Sequence, residues 1–126
     1  MTTAYSRWFL VIGSLYLLMG IGIGMYMGGS GDHRLTPVHA HINLAGFVLM
    51  TVFGLIYRAI PQMAGEVLAK AHFWLFQIGA LILVSALYLL VSERVAEASI
   101  GPVLLVAEIL VFASLLAFAL NLFRKA

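Results

Sequence analysis

Four long apolar runs divide this sequence, and they limit the folds it can adopt more than any other feature. The runs cover about residues 8–28, 38–60, 71–91 and 101–123. Each has roughly the 20 residues that an α-helix needs to cross the 30 Å hydrocarbon core of a bilayer. Only helices and closed barrels satisfy every backbone polar group in lipid, and these runs lack the alternation of barrel strands. The sequence therefore predicts an all-α integral membrane four-helix bundle, with residues 1–126 as one membrane domain.

Composition agrees with that class and excludes several functions. The chain is 63% hydrophobic and only 10% charged, which is too apolar for a soluble domain. Seven basic residues oppose five acidic ones, and they are scattered near the ends of the runs, so no nucleic-acid interface is predicted. The absence of cysteine excludes disulfides and thiolate metal sites. The bilayer is thus the first expected partner, and any metal ion needs histidine, methionine, carboxylate or amide ligands.

The positive charges near the run ends predict an orientation. Basic residues concentrate on the cytoplasmic side of membrane proteins. With the N-terminus inside, the outer side carries two basic residues, Arg34 and Arg94. The cytoplasmic side then carries Arg7, Arg58, Lys70, Arg124 and Lys125. We therefore expect a multi-pass protein of the cell's inner (cytoplasmic) membrane with both termini inside.

Three histidines lie within nine residues in the segment DHRLTPVHAHINLAGF, at the predicted outer face. Thr36 is a suitable N-cap and Pro37 suits a first helical turn, so the second helix should begin here. This places His33 in the loop, His39 near the helix start and His41 about one turn inside the bundle. Two helical residues in this spacing are about 200° apart around the axis, so both rings cannot reach one ion from regular geometry. Either the first turn is irregular or the two histidines have different roles.

A copper or zinc site at the outer face is one interpretation of this cluster. Imidazole is the most common protein ligand of transition metals, and a thioether beside it suits copper(I). The ligands would be His33, His39 and His41, with Met27 and Glu108 as further candidates. Glu108 in the fourth run is predicted at the depth of His41, where it could ligate directly or accept a hydrogen bond from a liganding imidazole. Alternatively, Glu108 is protonated and bonded within the bundle.

The remaining polar and small residues are expected to serve packing. Gly13, Gly20 and Gly24 recur along the first run at spacings of seven and four residues, and Gly20 and Gly24 form the small-xxx-small pattern that allows helices to approach closely. Tyr57 and Asn121 lie towards run ends and are expected at the membrane interface. Gln77 is predicted to form a hydrogen bond between helices. The small residues Ala45, Gly46 and Gly54 are positions where a neighbouring helix or a flat macrocycle could approach the second helix.

Two segments resemble a known family. HAHINLAGFVLMTVFGLIYRAIP and LAKAHFWLFQIGALIL are similar to helices II and III of subunit I of the heme-copper oxidases and nitric oxide reductases. The first segment is also similar to the opening of the NnrS family of heme- and copper-containing membrane proteins. The resemblance covers roughly residues 36–85. In the oxidases the histidine near the outer end of helix II is an axial ligand of the low-spin heme. The resemblance therefore implies heme b bound through His41, the deeper residue, with His39 as the competing assignment.

The resemblance also has limits. In that family the second axial ligand, the copper-binding histidines and the cross-linked tyrosine lie on later helices, and this sequence looks like the first four helices standing alone. An independent oxygen-reducing centre is therefore not expected. A second heme ligand would come from His39 through a local distortion, or from a second copy in a homo-oligomer.

Three functional hypotheses stay open at the level of sequence. The first is a heme b protein that either transfers electrons or binds O₂ or NO, and that works with a respiratory or electron-transfer partner. The second is the copper or zinc site, and the third is a cofactor-free membrane scaffold or assembly partner.

Overall fold

The protein is a bundle of four long helices. The structure, a computed structural model, describes residues 3–65 and 67–126. The helices are α1 (Thr3–Ser30), α2 (Thr36–Ala59), α3 (Val67–Val91) and α4 (Glu97–Lys125), and each is long and apolar enough to cross a membrane. A short 3₁₀ turn, Pro61–Met63, follows α2. No strand occurs in the described ranges. The predicted all-α membrane fold is confirmed, and polar residues at the run ends continue the helices by a few residues.

Short loops join consecutive helices, so the bundle has two distinct ends. We call the end that holds Thr3 and Ala126 the terminal end; there Ser6 Oγ donates to Gly54 O at 2.8 Å and Asn121 Nδ2 donates to Met63 O at 3.0 Å. The opposite end, which we call the far end, holds residues 31–35 and 92–96, and Arg34 approaches Glu93 there at 3.7 Å. Which end faces the cytoplasm stays a prediction.

Two helix pairs build the bundle: α1 packs along α2, and α3 packs along α4. Small residues allow the first pair to approach closely. A Cβ added at Gly24 would lie 2.9 Å from Cε1 of His39, and one added at Gly46 would lie 2.7 Å from Cβ of Tyr16. Gly13 and Gly20 also face α2. The predicted packing role of the glycines in α1 is thus confirmed.

An aromatic cluster fills the core near the terminal end. Its rings contact one another with centroids between 4.4 and 6.4 Å apart across all four helices. The members are Phe9 of α1, Phe53 and Tyr57 of α2, His72 and Phe76 of α3, and Phe118 of α4. Such ring contacts contribute stability beyond the burial of their area. This cluster is where the two helix pairs meet.

Helix α2 changes its winding close to the histidines. It is α-helical over Thr36–His41, π-helical over Ile42–Leu49 and α-helical again over Met50–Ala59. The predicted N-cap is wrong, because Thr36 already lies in the first turn and no side chain caps this helix start. Its hydroxyl instead donates to His33 O at 2.8 Å. π-Helical segments are rare and often accompany functional sites.

Candidate functional site

His39 points from α2 towards α1. Its Nδ1 lies 2.7 Å from Gly20 O, and Nδ2 of Asn43 lies 3.3 Å from its Nε2. A carbonyl oxygen accepts and an amide nitrogen donates, so Nδ1 carries the proton and Nε2 accepts. Gly20 and Gly24 lack the side chains that would collide with Asn43 and with this ring. Both nitrogens of His39 are therefore engaged: Nδ1 joins α2 to α1, and Nε2 bonds to Asn43 one turn later on α2.

His41 points in the opposite direction and is exposed on the outer surface of the bundle. Its Nδ1 donates to Pro37 O, one turn earlier, at 2.8 Å. A proton held on Nδ1 in this way leaves the lone pair of Nε2 available, which is the arrangement of most metal-bound histidines. Of the two imidazoles in this turn, His41 is the one with a free ligand atom.

The sequence-based expectation that His41 enters the interior of the bundle is wrong. The roles of the two histidines differ, as their angular separation suggested, but α1 covers the side that carries His39. Val38 and Ile42, which lie one residue before and three residues after His39 on its side of the helix, are each only 1% exposed. The side of α2 that carries His41 also carries the exposed Leu44.

A shallow groove lies beside the His41 ring. It has a volume of about 260 Å³ and is lined by Ala40, His41, Leu44, Ala45 and Leu49. Pockets that enclose most of a ligand measure roughly 300–1,000 Å³, so this groove by itself is too small to enclose a ligand of that size. The lining of the groove would suit one face of a heme in its chemistry. It is apolar, it includes small side chains, and it offers one free imidazole nitrogen. Of the predicted small positions, Ala45 faces this groove, whereas Gly46 faces α1.

The other predicted metal ligands do not gather around His41. His33 is exposed in the loop, with Nδ1 3.1 Å from Gly31 O. Met27 is buried, and its sulfur lies 3.7 Å from Thr36 Oγ1. Glu108 lies on the exposed surface of α4, which packs mainly against α3, so the predicted contact with the histidines does not occur within one chain. Across residues 3–65 and 67–126, no three His, Asp or Glu side chains come together as a metal site.

A second polar group, absent from the sequence-based predictions, lies in the aromatic cluster. Tyr57 Oη is 2.8 Å from His72 Nδ1, and both side chains are 0% exposed. Among the described atoms, His72 Nε2 has no hydrogen-bond partner. Asn121 is also fully buried, so Tyr57 and Asn121 both face the interior of the bundle, while their expected depth at the membrane interface stays a prediction. The one sequence signal that could have indicated this buried polar contact is the presence of ionisable and amide side chains within apolar runs, because such side chains need polar partners in the interior.

Comparison with known proteins supports the family resemblance. The family model described as "Cytochrome C and Quinol oxidase polypeptide I" matches residues 30–118, well over half of the chain. The matched range begins just before the histidine segment and ends within α4. No curated protein and no solved structure matches the sequence. The chain therefore belongs to the cytochrome c and quinol oxidase polypeptide I family, the subunit I family of the heme-copper oxidases.

Proposed function

We propose that this membrane protein binds heme b on the exposed side of α2, with Nε2 of His41 as an axial ligand. The observation that carries the proposal is the hydrogen bond from His41 Nδ1 to Pro37 O, which leaves Nε2 free beside an apolar groove. The competing His39 uses both ring nitrogens inside the bundle. Family membership adds support, because the resemblance implies a heme ligand at this end of the second helix.

The residues around His41 would hold and tune the group. A bound heme supplies one-electron chemistry and, with an open axial position, a site for O₂ or NO. The Pro37 carbonyl fixes the orientation of the imidazole and increases its basicity as a ligand. Ala40 and Ala45 leave room for a flat ring close to the helix. Leu44 and Leu49 provide an apolar wall that keeps water from one face.

The second wall of the site requires another polypeptide segment, and we propose a second copy of this chain. A two-fold axis places the same patch of both copies face to face, so His41 of one copy would oppose His41 of the other. Two imidazoles favour electron transfer over gas binding, because they leave no open coordination position. The proposed function is thus an inner-membrane electron-transfer protein that works as a homo-oligomer beside a respiratory partner.

Optical spectroscopy of the purified protein tests heme binding. We expect the heme-supplied protein in detergent to show a Soret band and His41→Ala to lose it. His33→Ala removes an exposed loop imidazole and should keep the full band. His39→Ala should keep the band as well, but unfold at lower temperature because the Gly20 and Asn43 contacts are lost. A wild-type protein without a Soret band, or an unchanged band in His41→Ala, would overturn the proposal; the first result would favour the cofactor-free scaffold.

Oligomeric state tests the second copy separately. In light scattering, the heme-loaded protein should have twice the mass of the chain in its detergent micelle, whereas His41→Ala should be monomeric. A heme-loaded monomer with one axial imidazole would reject the paired arrangement while leaving heme binding at His41 intact.

A further inference from the structure

A larger cleft opens at the far end of the bundle, between α1 and the last turns of α3. Its volume is about 510 Å³, within the range of sites that enclose small molecules. The apolar part of its lining comes from Met19, Ile23 and Leu35. Gly22 forms part of the wall, and a Cβ added there would meet no atom within 4 Å. The cleft therefore has an apolar base, with open space next to Gly22 on α1.

The two arginines that line the cleft differ in their charge partners. Arg34 forms an ion pair with Asp32 at 2.9 Å and approaches Glu93 at 3.7 Å, so two carboxylates surround it. The guanidinium of Arg94 lies over the ring of Tyr88 at 5.9 Å. In the part of the chain that the structure describes, no carboxylate lies within 4.0 Å of Arg94. Arg94 is thus the cation available to a ligand.

The position of the cleft indicates what kind of anion reaches Arg94. The cleft lies at the ends of the membrane-spanning helices, with Tyr26 and Tyr88 in its lining. Tyrosines at such ends lie at the level of lipid headgroups, and the anions concentrated there are lipid phosphates. The Arg94 guanidinium next to an apolar surface complements a molecule in which a phosphate is attached to hydrocarbon chains.

We propose that this cleft binds one membrane phospholipid. The phosphate diester accepts hydrogen bonds from the Arg94 guanidinium, and an acyl chain lies over Met19, Ile23 and Leu35. Guanidinium and phosphate form strong, charge-assisted hydrogen bonds. The site is independent of the groove beside His41, so it does not depend on heme binding.

Lipid titration followed by native mass spectrometry tests the role of the charge. The probes are palmitoyl-oleoyl phosphatidylglycerol and the matching diacylglycerol, which has the same chains and no phosphate. We expect the first to bind wild type about tenfold more tightly, a difference of about 1.4 kcal/mol. Arg94→Gln should abolish this preference. Arg7→Gln is the matched control, since Arg7 also lies over an aromatic ring, Trp8 at 5.7 Å, but outside the cleft.

Filling the cleft tests the apolar part of the site without changing charge. Gly22→Leu should occupy the open space and lower phosphatidylglycerol binding at least fivefold. Gly28→Leu is its control, because Gly28 has equally open surroundings on the same helix and does not line the cleft.

Three results would overturn the proposal. They are an unchanged lipid preference in Arg94→Gln, an equal loss in Arg7→Gln, and protection against thermal unfolding by inorganic phosphate as large as that by phosphatidylglycerol. The last result would identify a site for a free anion instead of a lipid.

Discussion

Tyr57 and His72 show how a single polar contact can depend on partners far apart in sequence. Their hydrogen bond lies in the aromatic cluster, away from any solvent. A buried polar group that loses its partner retains the cost of desolvation, about 1–3 kcal/mol. The pair therefore specifies how α2 and α3 align at the terminal end.

Tyr57→Phe is expected to lower the free energy of unfolding by about 1–3 kcal/mol, because His72 Nδ1 then has no partner. Chemical denaturation in detergent, followed by circular dichroism, measures the change. Tyr26→Phe serves as the control, since Tyr26 is 54% exposed. Equal effects of the two substitutions would show that the buried hydrogen bond contributes nothing specific.

Asp32 is the carboxylate whose ionisation is linked to the structure of the far-end loop. The hydrogen bonds from the Arg34 side chain and backbone lower the pKa of Asp32 below its usual value. Because the folded-state pKa is lowered, this contribution to stability is present above the usual pKa of an aspartate. It is lost as the pH falls through the lowered value.

Arg34→Gln should accordingly raise the pKa of Asp32 towards the value of about 3.9 found in peptides. The side-chain carboxyl chemical shift of Asp32, followed by NMR as a function of pH, gives the measurement. Arg94→Gln is the control, because no ion pair joins Arg94 to Asp32. An unchanged titration midpoint in Arg34→Gln would mean that the loop carboxylate is not paired in solution.

At the scale of helices, the contact between α1 and α2 decides which histidine is free. Gly20 and Gly24 allow the His39 ring to reach α1, and Gly46 allows α2 to approach Tyr16. The change from α to π winding begins directly after His41. His41 and the groove beside it therefore lie on the side of α2 that α1 does not cover.

Gly46→Ala is expected to destabilise the protein by about 1–3 kcal/mol, because the added methyl group would lie 2.7 Å from Tyr16 Cβ, which the α1 backbone holds in place. Gly28→Ala adds the same methyl group where nothing lies within 4 Å, so it should be neutral or stabilising by up to about 1 kcal/mol. Thermal unfolding in detergent compares the two. Similar midpoints would contradict the close approach of the two helices.

At the scale of the whole molecule, the orientation of the bundle is a prediction that labelling can test. The natural chain has no cysteine, so single cysteines report their own position. Ala96→Cys lies at the far end and Ala126→Cys at the terminal end, and both positions are exposed. A membrane-impermeant maleimide should label the first in intact spheroplasts and the second only after lysis. The reverse pattern would refute the orientation with both termini inside.

The sequence alone predicted a large part of this architecture. Four apolar runs of membrane-spanning length were enough to predict four helices, and the spacing of His39 and His41 was enough to separate their directions. It was not enough to say which of them faces α1. Glu108 was expected to face the histidines and instead lies on the exposed surface of α4.

The sequence predicted the helices but not the sides on which they pack, and the reason is physical. Length and hydropathy determine whether a segment can span the bilayer, which is a property of each helix by itself. In lipid every side of such a helix is apolar, so hydropathy does not mark the side that packs against a neighbour. Close contacts at Gly20, Gly24 and Gly46 make that choice, together with buried hydrogen bonds such as that of Tyr57 with His72. Only the tertiary structure therefore decided that His39 joins two helices and that His41 keeps a free nitrogen at the surface.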